Sequence, residues 1–75
     1  MTPDFYIITA SYGIFGMSVS DPLYNLDDAA DELGEAEKLT GQDARAVYVD
    51  VAAGISRDVT KECLAVIAKR LEAAQ

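Results

Sequence analysis

The pattern of this 75-residue chain predicts an α+β domain: a three-stranded antiparallel or mixed sheet built ββαβα, in the order 2-1-3, with two helices on one face. Three observations predict it. Two β-like runs flank Tyr12-Gly13. A helical repeat with acids along one side then fills residues 26–40. A valine-rich run at 45–52 precedes a second helical repeat that reaches about Ala74. With 51% apolar residues the chain is globular, and its length makes residues 1–75 one small domain near the lower limit for a core without staples.

The first element reads FYIITASYGIFGMSVS. A two-residue turn at Tyr12-Gly13 pairs Ser11 with Ile14, Ala10 with Phe15, Ile8 with Met17 and Tyr6 with Val19. Directly opposed residues share a face, so Tyr6, Ile8, Ala10, Phe15, Met17 and Val19 form the expected core face. Asp21-Pro22 ends the second strand. Asn25 is the expected N-cap of the first helix. Asp27 and Asp28 follow in its first turn, where the helix dipole favours anions, and Gly41 is the expected stop.

The third strand, RAVYVDVA, sends Val47, Val49 and Val51 one way and Ala46, Tyr48 and Asp50 the other. Both helices are expected over the valine-rich face. Phe5, Ile7, Thr9, Ile14, Ser18 and Tyr48 then belong to the open one. Ala53-Gly54 breaks the strand, and Ser56 or Asp58 caps the second helix. Its apolar stripe is Val59, Cys63, Leu64, Ile67, Leu71 and Ala74; Arg70 falls inside it and is expected to snorkel outward. A right-handed crossover from the second strand to the third places the first strand in the middle.

Composition narrows the chemistry. Histidine is absent, which removes the commonest general base and metal ligand. No serine sits in a nucleophile elbow and no glycine-rich phosphate loop exists, so no enzyme and no cofactor are expected. The acids do not follow calcium-loop spacing, so no metal is expected either. The single Cys63 allows no internal disulfide and fits a reducing compartment. No leader is expected, because the N-terminus lacks a basic start, and no apolar run approaches membrane-spanning length.

Charge is uneven. Residues 1–43 carry nine acids and one base, whereas residues 44–75 carry four acids and five bases, for a total of −7. Such a chain is expected to avoid nucleic acid and anionic membranes and to suit a basic surface. The acids concentrate in DDAADELGE, at Asp27, Asp28, Asp31, Glu32 and Glu35. At ~100° per residue they share an arc of roughly 140°. Leu26, Ala29, Ala30, Leu33 and Ala36 lie opposite. Carboxylates at i and i+4 rise by ~6 Å, close to the through-space spacing of phosphates along a nucleic-acid strand, roughly 6–7 Å against the helix axis repeat. Such a row can stand in for a phosphate backbone before a basic channel. The plain alternative is a solvated amphipathic helix.

From Phe5 to Leu33 the chain resembles the start of small anti-CRISPR proteins encoded by phages and mobile elements of Pseudomonas-like hosts. The matching residues are Phe5-Tyr6-Ile7, Gly13 at the turn, Ser20, Tyr24 and Leu26-Asp27-Asp28-Ala29-Ala30. The resemblance implies an inhibitor of type I systems that binds the crRNA-guided surveillance complex (Cascade) as a DNA mimic. Such an inhibitor occupies the basic site on the Cas8-type subunit and its neighbour Cas5, in the cytoplasm of an infected bacterial host. By position, Asp27 and Asp28 match acids of that pattern and Asp21 matches an acid before the helix. Asp31, Glu32 and Glu35 rest on the stripe alone. The C-terminal third departs, with a long helix from about residue 57 to 74 in place of a shorter ending. Partner-binding residues are therefore expected at Asp21, Tyr24, Asp27, Asp28, Asp31, Glu32 and Glu35. A monomer is expected, with a dimer left open. The rival reading is an interaction module, a homodimer or a binder of a host regulator, that uses the open sheet face while the acids serve solubility.

Overall fold

A computed structural model describes residues 3–40 and 43–74, so the expected stop at Gly41 lies outside the described residues. The elements run β1 (Phe5–Ser11), a 3-10 turn (Gly13–Phe15), β2 (Met17–Val19), α1 (Leu26–Thr40), β3 (Ala44–Asp50), β4 (Ile55–Asp58) and α2 (Thr60–Ala73). The fold is α+β, with both helices packed on one face of the sheet. The sheet has four strands rather than three. It is antiparallel throughout, in the order β2-β1-β3-β4, so β1 does lie between β2 and β3.

The fourth strand occupies residues expected to open the second helix. Ser56 pairs with Val49 and caps nothing, and the helix begins at Thr60. A turn at residues 51–54 makes this hairpin. Gly54 takes a φ of +68° there and donates its N–H to Asp50 O at 2.9 Å, while Ala53 N–H reaches Asp50 Oδ1 at 3.1 Å. Asp58 keeps part of its expected role, accepting the Thr60 N–H at 2.8 Å.

The first hairpin does not close through two residues. Its loop spans Tyr12 to Gly16, and the register is Ser11↔Met17, Ala10↔Ser18 and Thr9↔Val19. A two-residue type I′ turn needs positive φ at both central residues. Tyr12 instead sits at φ −108°, and the left-handed conformations fall on Gly13 (+65°) and Gly16 (+93°), which bear no Cβ to strain. The resulting shift is odd in number, so it moves the second strand's residues to the opposite face. Met17 and Val19, expected in the core, join Thr9 and Ser11 on the open face. Phe15 stands in the loop at 87% exposure.

β3 is likewise turned over relative to expectation. Its pairing with β1 sets Ala46 opposite Ile8, Ala44 opposite Ala10 and Tyr48 opposite Tyr6. The alanine side, not the valine side, faces the helices. The physical reason is closeness of approach: Ala10, Ala44 and Ala46 below meet Ala29 and Ala30 of α1 above, all buried. Leu33 and Cys63 are the largest side chains fully enclosed between the layers. Tyr48 lies on this covered side, its ring 5.1 Å from that of Tyr6 in an edge contact and under the guanidinium of Arg57.

Only the first half of α2 is docked. Cys63 is buried and Val66 and Ile67 pack on the core, but Leu71 is 63% exposed. Ile67 also lies over Gly34, where an added Cβ would stand 3.8 Å from its Cδ1, an ordinary contact that an alanine could make as well. Thr60 holds the corner where β3, β4 and α2 meet: its hydroxyl accepts the Ala46 N–H at 3.0 Å in a buried position. Thr60→Val leaves that N–H without a partner and is expected to cost ~1–3 kcal/mol in denaturant unfolding, while Thr60→Ser restores most of it.

A second tie closes the far end of the sheet. The Tyr48 hydroxyl donates to Asp4 Oδ2 at 2.6 Å, and Val51 N–H donates to Asp4 Oδ1 at 3.0 Å. These bonds, Tyr48's first, hold the Asp4 carboxyl below its ordinary value of 3.8, and the bond to Asp4 pushes the Tyr48 phenol up to about 12. A raised phenol stabilises the fold fully below pH 10.0, and that contribution is lost as pH climbs from 10.0 to about 12. The depressed Asp4 contributes above pH 3.8 and is lost as pH falls below it. In an absorbance titration of the phenols one step near pH 12 is expected, and Asp4→Asn should move that step down. A late step that persists in Asp4→Asn contradicts the assignment.

Candidate partner-binding face

The acidic face is built from the start of α1. Asn25 caps it: its Oδ1 accepts the Asp28 N–H at 2.8 Å, and its Nδ2 donates to Asp28 Oδ2 at 3.0 Å. This reciprocal pair fixes where the helix begins and therefore which way each later acid points. Ala29, Ala30 and Leu33 turn to the sheet. Asp27, Asp28, Asp31, Glu32 and Glu35 are all exposed on the other side.

The five acids are not equivalent. Arg70 of α2 donates to Asp31 Oδ1 and, at 3.2 Å, to Asp27 Oδ1, and it also reaches the Asp27 carbonyl at 3.3 Å. These acids, Asp31 first, hold the Arg70 guanidinium above its ordinary value. Arg70 was expected to snorkel to water; it reaches out of the apolar stripe but ends on α1. The pairs are well exposed, so they are worth at most ~1 kcal/mol each. Their larger consequence is electrostatic, because they neutralise the flank of α1 that faces α2. Glu35 lies 3.5 Å from Lys38 in an exposed i,i+3 pair. Asp28 and Glu32 make no ion pair among the described residues. The strongest negative field therefore lies on the outer and β2-facing side of the helix.

On that side α1 stands away from the edge of the sheet and leaves an open cleft of about 170 Å³. Glu32 and Glu35 stand at its rim with Leu39; Tyr12, Ser18 and Ser20 come from the hairpin. An apolar wall beside two carboxylates and several hydroxyls is the chemistry that receives a lysine or arginine side chain, stem against the wall and charge at the rim. The cleft escaped sequence reasoning because it depends on the hairpin register.

Asp21 and Tyr24 belong to the segment that joins β2 to α1. Both are exposed, Tyr24 at 63%. Leu23 anchors this segment through paired backbone bonds with Tyr6 at 2.7 and 2.8 Å, which sets Tyr24 just ahead of the acidic helix. Cys63 is a core residue, and burial pushes its thiol up, away from the reactive thiolate. Among the described residues no three His, Cys, Asp or Glu side chains are placed to hold a metal ion, and no helix is long and apolar enough to cross a membrane.

No protein-family model, no curated protein and no solved structure matches this chain.

Proposed function

We propose that this protein is a non-catalytic inhibitor that presents the outer face of α1 to a basic DNA-binding channel and competes with DNA for it. The observation that carries the reading is the exposed row Asp28, Asp31, Glu32 and Glu35 on one side of a capped, well-docked helix. Asp28 and Glu32 are spaced i,i+4, as are Asp31 and Glu35, a rise of ~6 Å that suits lysines and arginines arranged to meet successive phosphates. The cleft beside Glu32 and Glu35 adds a seat for one cationic side chain.

The partner that best fits is the surveillance complex of a type I CRISPR system. The resemblance of Phe5–Leu33 to anti-CRISPR proteins points to its DNA channel, at the Cas8-type subunit or neighbouring Cas5, in the cytoplasm of an infected bacterial host. In this reading Asp28, Glu32 and Glu35 make the principal contacts. Asp31 and Asp27 contribute less while Arg70 holds them, and Asp21 and Tyr24 extend the contact at the helix start. The test is a pull-down of the purified protein against type I complexes with and without bound target DNA. Capture of the free complex alone supports competition for the channel. Capture of both forms moves the contact away from the DNA site, and capture of neither overturns the proposed partner.

A further inference from the structure

Among the described residues no element covers the face of the sheet opposite the helices. The pairings Phe5↔Val49, Ile7↔Val47 and Thr9↔Val19 place these side chains together on it, with Met17 at its edge. Phe5, Ile7, Val47 and Val49 are half-buried, whereas Met17 is 72% exposed and Val19 63% exposed. We infer that a second copy of this chain docks on this face, sheet against sheet about a two-fold axis, and that the acidic helices remain on the outside of the dimer.

Charge selects that occupant. Within the four strands the open face carries one cation, Arg45 beside Thr9, and one anion, Asp58 beside Val47. The two interact within one copy and leave the face without net charge, so identical faces do not repel each other. A strongly basic partner is drawn to α1, where the acids are, and not to this nearly uncharged face. The same −7 on each copy does not forbid pairing. The domain is only 16 Å thick between outermost Cα positions. Packed sheets lie ~10 Å apart, so the two acidic faces stand roughly 40 Å from each other, several screening lengths at physiological salt. The hairpin end, residues 12–20, holds no charged residue at all.

The area is sufficient for a reversible dimer. The strands contribute seven, three, seven and four residues. At ~3.3 Å by ~4.8 Å per residue their face projects over roughly 330 Å². Side-chain relief raises the accessible area to roughly 500 Å² per copy, about one and a half times that projection. That is ~1,000 Å² in total, the size of a weak, transient interface. Micromolar association is expected.

Sedimentation equilibrium of the full chain from about 1 to about 200 µM tests this. The expected result is a monomer–dimer equilibrium that does not weaken when salt rises, because the contact is apolar. Met17→Lys with Val19→Lys changes side chains already exposed in the monomer, so circular dichroism should be unaltered while dimerisation weakens at least ~30-fold, as expected when a charge is placed in an apolar interface. Glu32→Lys should leave the dimer intact. A wild-type chain that stays monomeric overturns the inference, and so does a dimer that survives the double lysine variant. Binding through α1 weakens with salt and is lost with Glu32→Lys, so failure of one reading is distinguishable from failure of the other.

Discussion

Reversal of Asp28, Glu32 and Glu35 to lysine is expected to abolish competition with DNA for the basic channel while leaving the domain folded. These three acids are the right set because none of them is ion-paired with α2. Asp27 and Asp31 hold Arg70, so their reversal would disturb the packing of the two helices along with the surface charge. Each lysine would set like charge against the channel's own cations, which costs several kcal/mol across an interface, so a weakening beyond ~100-fold is expected. The cost to folding is small. Exposed helix positions tolerate substitution within about 0.5 kcal/mol, and the loss of Asp28 from the first turn adds a comparable amount. Asn25 still accepts the residue 28 backbone N–H. The measurement is a competition assay with labelled target duplex at several salt concentrations, beside thermal melts of each variant. The wild-type association rate should fall steeply with salt. Full inhibition by a folded triple variant would sink the role given to α1.

Leu33→Ala carries the largest expected effect on stability. Leu33 is the one large aliphatic side chain fully buried between the layers, and the buried core around it includes five alanines, Ala10, Ala29, Ala30, Ala44 and Ala46. The alanines on both sides are too short to reach into the space its removal leaves, so much of the cavity would remain. A loss of ~3–5 kcal/mol is expected, in the upper part of the range for such truncations. A domain of this length has a total stability of about 4–11 kcal/mol. The variant should therefore melt lower by roughly 12–40 °C, or be partly unfolded at room temperature. Calorimetry or denaturant unfolding checks this. A shift below ~1 kcal/mol would mean that the layers close over the gap and that Leu33 does not organise the interface.

Both predictions rest on α1, the element most legible from residue spacing. Its cap at Asn25, its buried Ala29, Ala30 and Leu33 and its exposed acids all follow from a 3.6-residue repeat, which is a local property of the chain. The central position of β1 was also legible, because the short link at Tyr12–Gly16 and the long helical crossover leave few arrangements open. β4 was not. Ile55-Ser56-Arg57-Asp58 reads as the approach to a helix cap, and its four residues become a strand only because β3 offers an edge to pair with. Among the site residues, the exposure of the acids could be read from spacing. The hold of Arg70 on Asp27 and Asp31 could not, since it joins positions about forty residues apart through the packing of two helices.

The amino-acid sequence by itself determined the order of β1, β2, α1, β3 and α2 without β4, the amphipathic character of α1, the lack of histidine chemistry and the concentration of negative charge in the first half of the chain. These are set by composition and by periodicities that each segment expresses alone. Only the tertiary structure decided which faces are covered. Val47 and Val49 read as core and Ala46 as surface until pairing with β1 sets Ala46 and Ala44 opposite Ile8 and Ala10, under a helix whose own alanines allow close approach. Met17 and Val19 change sides because positive φ falls on Gly13 and Gly16 and not on Tyr12. In a sheet, successive residues point to opposite faces, so a register set by one turn or one partner strand decides which side chains are buried.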